Sequence, residues 1–172
     1  MDAHALFGLS ALMSLFASGL VTRLYVWPWL RVLPRRDALA ALVVPHTFLR
    51  FIGLSFLVPG VVSPSLPLAF AAPAAYGDLV AGVLACAALA ALSTRAGWAI
   101  LLVWLFNVWG SADLLYAFYQ GQFGVQIDPA AFGAAFFIPT AVVPPLFVVH
   151  LLIFRVLLMK WNRSSEWTAT SA

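Results

Sequence analysis

Five long apolar runs constrain the fold more than any other feature of this 172-residue chain. A hydrocarbon layer about 30 Å thick needs roughly 20 helical residues to cross it, at about 1.5 Å per residue. A membrane-spanning β-barrel would instead show segments of about ten residues that alternate between apolar and polar. The sequence therefore predicts an all-α integral membrane bundle of five transmembrane helices. These spans are residues 3–25, 38–62, 74–93, 96–119 and 134–159.

The overall composition leads to the same class of protein. Hydrophobic residues make up 64% of the chain and charged residues only 9%, whereas soluble domains contain about 45–50% and 25%. A soluble fold of this size could not cover so much apolar surface, so the chain needs membrane lipid as its surroundings. We predict one multi-pass domain over residues 1–161, in a cell membrane of the bacterial inner-membrane type. Residues 162–172 are expected to form a polar cytoplasmic tail.

The basic residues predict the orientation of the bundle. They flank the apolar runs and form no extended patch, which indicates topology determinants and no nucleic-acid partner. The connections 63–73 and 120–133 contain no Lys or Arg, and the other side of the bundle collects the basic residues. With that side in the cytoplasm, the N-terminus lies outside and the C-terminus inside. The residues on the cytoplasmic side are Arg23, Arg31, Arg35, Arg36, Arg95, Arg155, Lys160 and Arg163.

Polar side chains within the apolar runs mark the candidate site. Such residues are costly in a membrane and usually face the bundle interior or a cavity. In the second run, His46, Arg50 and Gly53 recur at helical spacing and share one stripe, which should face other helices. We expect six residues to form an intramembrane polar cluster or to line a ligand-binding site. They are His46, Arg50, Asp78, Asn107, Asp113 and His150.

Two pairings within this set have specific chemistry. Arg50 lies about 20 Å from the cytoplasmic edge and needs a counter-charge, for which Asp113 is the first candidate and Asp78 the second. The resulting ion pair or three-member cluster would act as a structural clamp or as part of a substrate or proton site. His46 and His150 lie at similar depth on different helices, where they could be the two axial ligands of haem b or simply interior histidines.

Other catalytic and metal-binding motifs are missing from the sequence. The single cysteine, Cys86, excludes an intramolecular disulfide and a Cys-x-x-Cys redox centre. No phosphate loop, dinucleotide fingerprint or His-Glu-x-x-His motif occurs. The sequence therefore contains no recognisable catalytic motif, which leaves enzymatic activity open, and it predicts no metal site apart from the haem alternative.

Residues 50–104 contain a distinctive series of motifs, namely Arg50-Phe-Ile-Gly-Leu-Ser-Phe56 with Gly60, a proline-containing loop, a Gly/Ala-rich helix after Asp78, and the turn Thr94-Arg95-Ala-Gly-Trp98. This series resembles the DoxX-like family of small helical membrane proteins. The resemblance implies a four-helix membrane bundle that often serves as a subunit of redox-associated assemblies, sometimes in thiosulfate or quinone chemistry. This chain departs from the pattern by an additional N-terminal span and by having Asp78 only at the start of the small-residue helix.

These observations predict a membrane bundle that binds a small apolar or quinone-like ligand, or that acts as a subunit of a redox-associated complex. A protein partner or a homo-oligomer would fit the same bundle. The first alternative is a haem b redox subunit with His46 and His150 as ligands. The second is a proton-coupled transporter of a small molecule, although five spans show no obvious internal repeat.

Overall fold

A computed structural model describes residues 2–160 of the chain, and within that range it contains five long helices and no β-strand. Each helix is long and apolar enough to cross a membrane, which confirms the predicted helical bundle and supports a multi-pass membrane protein. The orientation of the termini stays a prediction, and the tail 162–172 lies outside the described residues, as does Arg163. The helices are α1 (Ala3–Leu30), α2 (Arg35–Leu57), α3 (Leu68–Ser93), α4 (Ala99–Gly124) and α5 (Ile138–Leu158).

All five helices differ from the predicted spans at one end or both. Helix α2 covers Arg35–Leu57 instead of residues 38–62, and α4 covers Ala99–Gly124 instead of residues 96–119. Helix α1 continues to Leu30, and a wide π-helical turn at Thr22–Val26 precedes Pro28, whose ring and missing N–H would disrupt an ordinary α-helical turn. Helix α3 begins at Leu68 instead of residue 74 and contains Pro73 in its first turns. Helix α5 begins at Ile138 instead of residue 134, because Pro129–Phe136 form a separate 3-10 helix.

Two buried apolar clusters fill the bundle, one towards each end. The cluster at the arginine-rich end includes Leu39, Val103 and Ile153, whereas the cluster at the other end includes Phe56 and Phe132. We call the latter the aromatic end. The predicted polar residues of α2, α3 and α4 stand between these clusters along each helix. The polar groups are therefore held in the middle of the bundle, with apolar packing on both sides.

Helix α3 packs against both α2 and α4. Its buried face consists largely of alanine, including Ala75, Ala81, Ala85 and Ala88. Small residues let helix backbones approach closely in membrane bundles. Helix α1 is peripheral, since it packs mainly on α5 and on the segment before it, and no residue of Ala3–Val21 is buried.

The two connections at the aromatic end are joined by backbone hydrogen bonds. The N–H of Ser63 donates to the carbonyl of Ala131 at 3.0 Å, and the N–H of Ala134 donates to the carbonyl of Val61 at 2.8 Å. Gly133 lies between these bonds with φ 53°, and a Cβ there would be 2.6 Å from the Val61 carbonyl oxygen. The α2–α3 and α4–α5 connections thus form one cap, and the side chain of Phe132 in this cap points into the bundle.

Candidate functional site

Arg50 is the centre of a polar cluster that joins four helices. Its side chain is buried, and its Nη1 lies 2.6 Å from Asp78 Oδ1 and 2.9 Å from Asp113 Oδ2. Its Nη2 donates to the carbonyl of Gly110 at 2.7 Å and contacts His150 Nε2 at 2.7 Å. The expected three-member Arg–Asp cluster is present, and Asp78, the second candidate from the sequence, is the closer of the two partners.

The contacts of His150 fix its tautomer. A guanidinium nitrogen can only donate, so His150 Nε2 must accept from Arg50. The proton therefore sits on Nδ1, which donates to Asn107 Oδ1 at 2.7 Å, and the ring is neutral. The amide of Asn107 in turn donates to the backbone carbonyl of His150 at 3.3 Å. Asn107 thus orients the imidazole whose Nε2 accepts a hydrogen bond from Arg50.

Three glycines on three successive helices make room for these side chains. Gly53 of α2 lies against Asp78 of α3, and Gly77 of α3 lies against Asp113 of α4. A Cβ added at Gly110 of α4 would be 2.7 Å from Cε1 of His150 and 2.9 Å from Nη2 of Arg50. Each polar group therefore lies in the space left by a glycine on a neighbouring helix. We call these three residues the glycine set.

His46 lies beside the cluster without a hydrogen bond. It is buried, its ring centroid is 4.4 Å from that of His150 and 5.0 Å from that of Phe106, and neither ring nitrogen has a hydrogen-bond partner among the described residues. The sequence predicts His46 as a member of the polar cluster, and in the structure His46 lies at the edge of that cluster. Its contacts are those of an aromatic packing residue.

The haem alternative does not fit this arrangement. Both ring nitrogens of His150 are engaged by protein groups, Arg50 on one side and Asn107 on the other. The two imidazoles are in direct contact, with centroids 4.4 Å apart, so no porphyrin fits between them. Residues 2–160 also contain no group of three or more His, Cys, Asp or Glu side chains that could hold a metal ion.

A cavity of ≈ 120 Å³ opens beside the carboxylates of the cluster. Asp78 and Asp113 lie along its wall, and the remainder of the lining is almost entirely apolar. Its aromatic residues come from α1, α2, α3, α4 and the cap, and they are Phe7, Phe56, Phe70, Phe118 and Phe132. Gln122 and Pro139 also contribute to the lining. The cavity is thus an aromatic chamber with an acidic end.

Asp113 also borders a second, more open groove between α3 and α4. This groove has a volume of ≈ 370 Å³ and is lined by Tyr76, Trp109 and Tyr116 among others. All three aromatic side chains are exposed, and the Trp109 indole donates to the carbonyl of Gly77 at 3.3 Å. One carboxylate therefore lies between the interior chamber and the surface of the bundle.

Sequence reasoning found the polar members of the site but not its walls. Gly77 and Gly110 passed unnoticed because a glycine within an apolar run has no periodicity of its own. Phe7 and Phe132 were equally hidden among the fourteen phenylalanines of the chain. The available signal was the pairing of each membrane aspartate with a glycine on the preceding helix, which becomes visible only when the helices are aligned.

Comparison with known families places most of the chain in one of them. Residues 6–158 match the family described as a domain of unknown function (DUF8737). The chain belongs to this family. No curated protein matches the chain, and no solved structure does. The polar cluster and the chamber are therefore the features that indicate the function of this DUF8737 member.

Proposed function

We propose that this DUF8737 protein binds a small, mostly apolar molecule in the aromatic chamber, within a cell membrane of the bacterial inner-membrane type. The observation that carries the proposal is the combination of phenylalanine walls with two carboxylates at one end. Ligand sites are typically apolar concavities with a few polar groups that fix orientation. Asp78 and Asp113 are those groups here, and Arg50 holds them in place.

Size and surroundings support a small ligand or the head of a larger one. A cavity of about 150 Å³ lined by apolar side chains can hold benzene, so ≈ 120 Å³ suits a head group of similar or smaller size. A longer apolar tail would extend past Phe118, which is exposed. The quinone-like ligands predicted from the sequence have this shape, a small head group with an apolar tail.

The broader roles remain predictions from sequence. The DoxX-like resemblance suggests that the bundle is a subunit of a redox-associated complex, and proton-coupled transport is the alternative that uses the interior charges. None of the contacts described above supports either role specifically. Ligand binding is the step that both of these roles would require.

The proposal is tested by filling the chamber with a side chain. Ala74 is buried in the chamber wall, so Ala74→Phe should remove the available volume. The matched control is Ala87→Phe, on an exposed position of the same helix. Phenol and hydroquinone, a quinol head group without its tail, should raise the melting temperature of the wild type and of Ala87→Phe in detergent. They should have no effect on Ala74→Phe.

Two results would contradict ligand binding in the chamber. One is the absence of any stabilisation of the wild type by either probe, since a ligand at 100 times its Kd stabilises by about 2.7 kcal/mol. The other is equal stabilisation of wild type and Ala74→Phe, which would place the bound probe elsewhere.

A further inference from the structure

The hydrogen bonds of Arg50 restrict what the acidic end of the chamber can recognise. All four Nη protons are used, by Asp78, Asp113, Gly110 and His150. Its Nε makes no hydrogen bond with a described residue, but it is buried, and Arg50 is not among the residues that line the chamber. The guanidinium therefore offers no proton to a ligand in the chamber. Ionised carboxylates are acceptors only, so the acidic end presents acceptors to whatever occupies the chamber.

The same groups leave an excess of negative charge. Two carboxylates share a single guanidinium, and His150 is neutral because its Nε2 accepts from Arg50. When both carboxyls are ionised, two negative charges and one positive charge give a net charge of one negative unit, and a proton on one carboxyl makes the cluster neutral. No Lys, Arg or His side chain lines the chamber. An uncompensated charge inside a membrane protein is expensive, so a cationic ligand and a proton compete to compensate the second carboxylate.

The walls of the chamber also suit a cation. Phe56, Phe70 and Phe132 form a mutually packed set with centroid distances of 5.7–6.0 Å, and Phe7 stacks on Phe132 at 5.9 Å. The faces of aromatic rings attract organic cations, and aromatic cages recognise ammonium groups in this way. The rings would simultaneously cover the apolar part of such a ligand.

We infer that the ligand of the chamber is a small lipophilic ammonium ion, whose N–H groups donate to Asp78 and Asp113 while its carbon atoms contact the phenylalanines. This inference rests on the proposed function and specifies its ligand class. A quinone is a poorer match, because its carbonyl oxygens can only accept and would face acceptors. An anionic ligand would be repelled by the carboxylates of Asp78 and Asp113.

The experiment compares three probes of nearly equal size and shape: n-butylammonium, n-butanol and butyrate. Their affinities for the detergent-solubilised wild type are measured by isothermal titration calorimetry at constant ionic strength. We expect n-butylammonium to bind at least about tenfold more tightly than n-butanol, because charge-assisted hydrogen bonds are stronger than neutral ones. Butyrate should not bind.

Asp113→Asn is the variant that isolates the charge. Asparagine keeps the shape and an acceptor oxygen, and Arg50 keeps its ion pair with Asp78. The preference for n-butylammonium, taken as the ratio of its affinity to that of n-butanol for the same variant, should fall at least about tenfold. Asp128→Asn is the control, since this exposed carboxylate lies outside the chamber lining and should leave the preference unchanged.

Other outcomes overturn the inference in distinguishable ways. Equal affinities for n-butylammonium and n-butanol would show an apolar chamber without cation selectivity, and the proposed ligand binding would survive. Stabilisation of the wild type by Na⁺ or K⁺ to the same extent as by n-butylammonium would show that the carboxylates bind a metal ion. No binding of any of these probes, together with no effect of phenol or hydroquinone, would remove the proposed function itself.

Discussion

Arg50 is the residue on which the polar interior depends, because its guanidinium contacts side chains or backbone of the other three helices that form the cluster. Removal of one partner from a buried ion pair leaves an uncompensated charge and costs about 3–5 kcal/mol. We expect Arg50→Met to reduce the free energy of unfolding by about this amount. The measurement is the temperature at which the detergent-solubilised protein loses its monodisperse peak in size-exclusion chromatography.

The control for this variant is Arg23→Met, an exposed arginine of α1, which should be nearly neutral. Because two carboxylates share Arg50, the compensating variant must remove both. The triple variant Arg50→Met, Asp78→Leu and Asp113→Leu should recover much of the stability lost in the single variants. Strict addition of the three individual losses would mean that these residues do not act as a unit.

The glycine set makes a second prediction at single-residue scale. Gly110→Ala would place a methyl group 2.7 Å from the His150 ring and 2.9 Å from Nη2 of Arg50. Such overpacking typically costs about 1–3 kcal/mol, which should appear as a lower melting temperature. Gly19→Ala on α1 is the matched control, since nothing lies within 4 Å of a Cβ there. An equally small effect of both substitutions would argue against close helix contact at Gly110.

At the scale of helices, Arg35 at the start of α2 caps the end of α5. Its Nη2 donates to the carbonyl of Leu157 at 2.8 Å and its Nε to that of Val156 at 3.3 Å. The last carbonyls of a helix have no partner within the helix, so these bonds satisfy them. We expect Arg35→Met to increase hydrogen–deuterium exchange in the last turns of α5. Arg31→Met, at an exposed position, should leave that exchange unchanged.

Helix number and the identity of the polar residues were predictable from sequence, whereas helix ends and cavity walls were not. Hydropathy identifies a span because lipid demands about 20 predominantly apolar residues, and α2 and α4 meet this demand although each contains polar side chains. Hydropathy misplaces the start of α5 because Pro129–Phe136 is as apolar as a membrane span. The non-helical backbone of Gly133 nevertheless interrupts the helix there. Asp78 and Asp113 were found because charge in a membrane is rare. Phe7 and Phe132 were missed because phenylalanine there is common.

At the scale of the whole molecule, the positive-inside pattern predicts the orientation of the bundle. Reporter fusions after Arg36, Arg95 and Arg163 should all report the cytoplasm, and fusions after Ser65 and Asp128 should report the opposite side. The ion-pair cluster would then lie in the middle of the membrane, with the aromatic end outward. A non-cytoplasmic signal after Arg95 would rule out a five-span arrangement with this orientation.

The peripheral position of α1 has a consequence for biosynthesis. This helix is made before the others, yet its principal neighbour is α5, which leaves the ribosome last. Phe7 of α1 and Phe132, just before α5, stack on one another and close the same wall of the chamber. Ile138, Pro139 and Val143 of α5 line the chamber as well. The chamber is therefore incomplete on any nascent chain that lacks α5, and a ligand can be captured only after all five helices have been made.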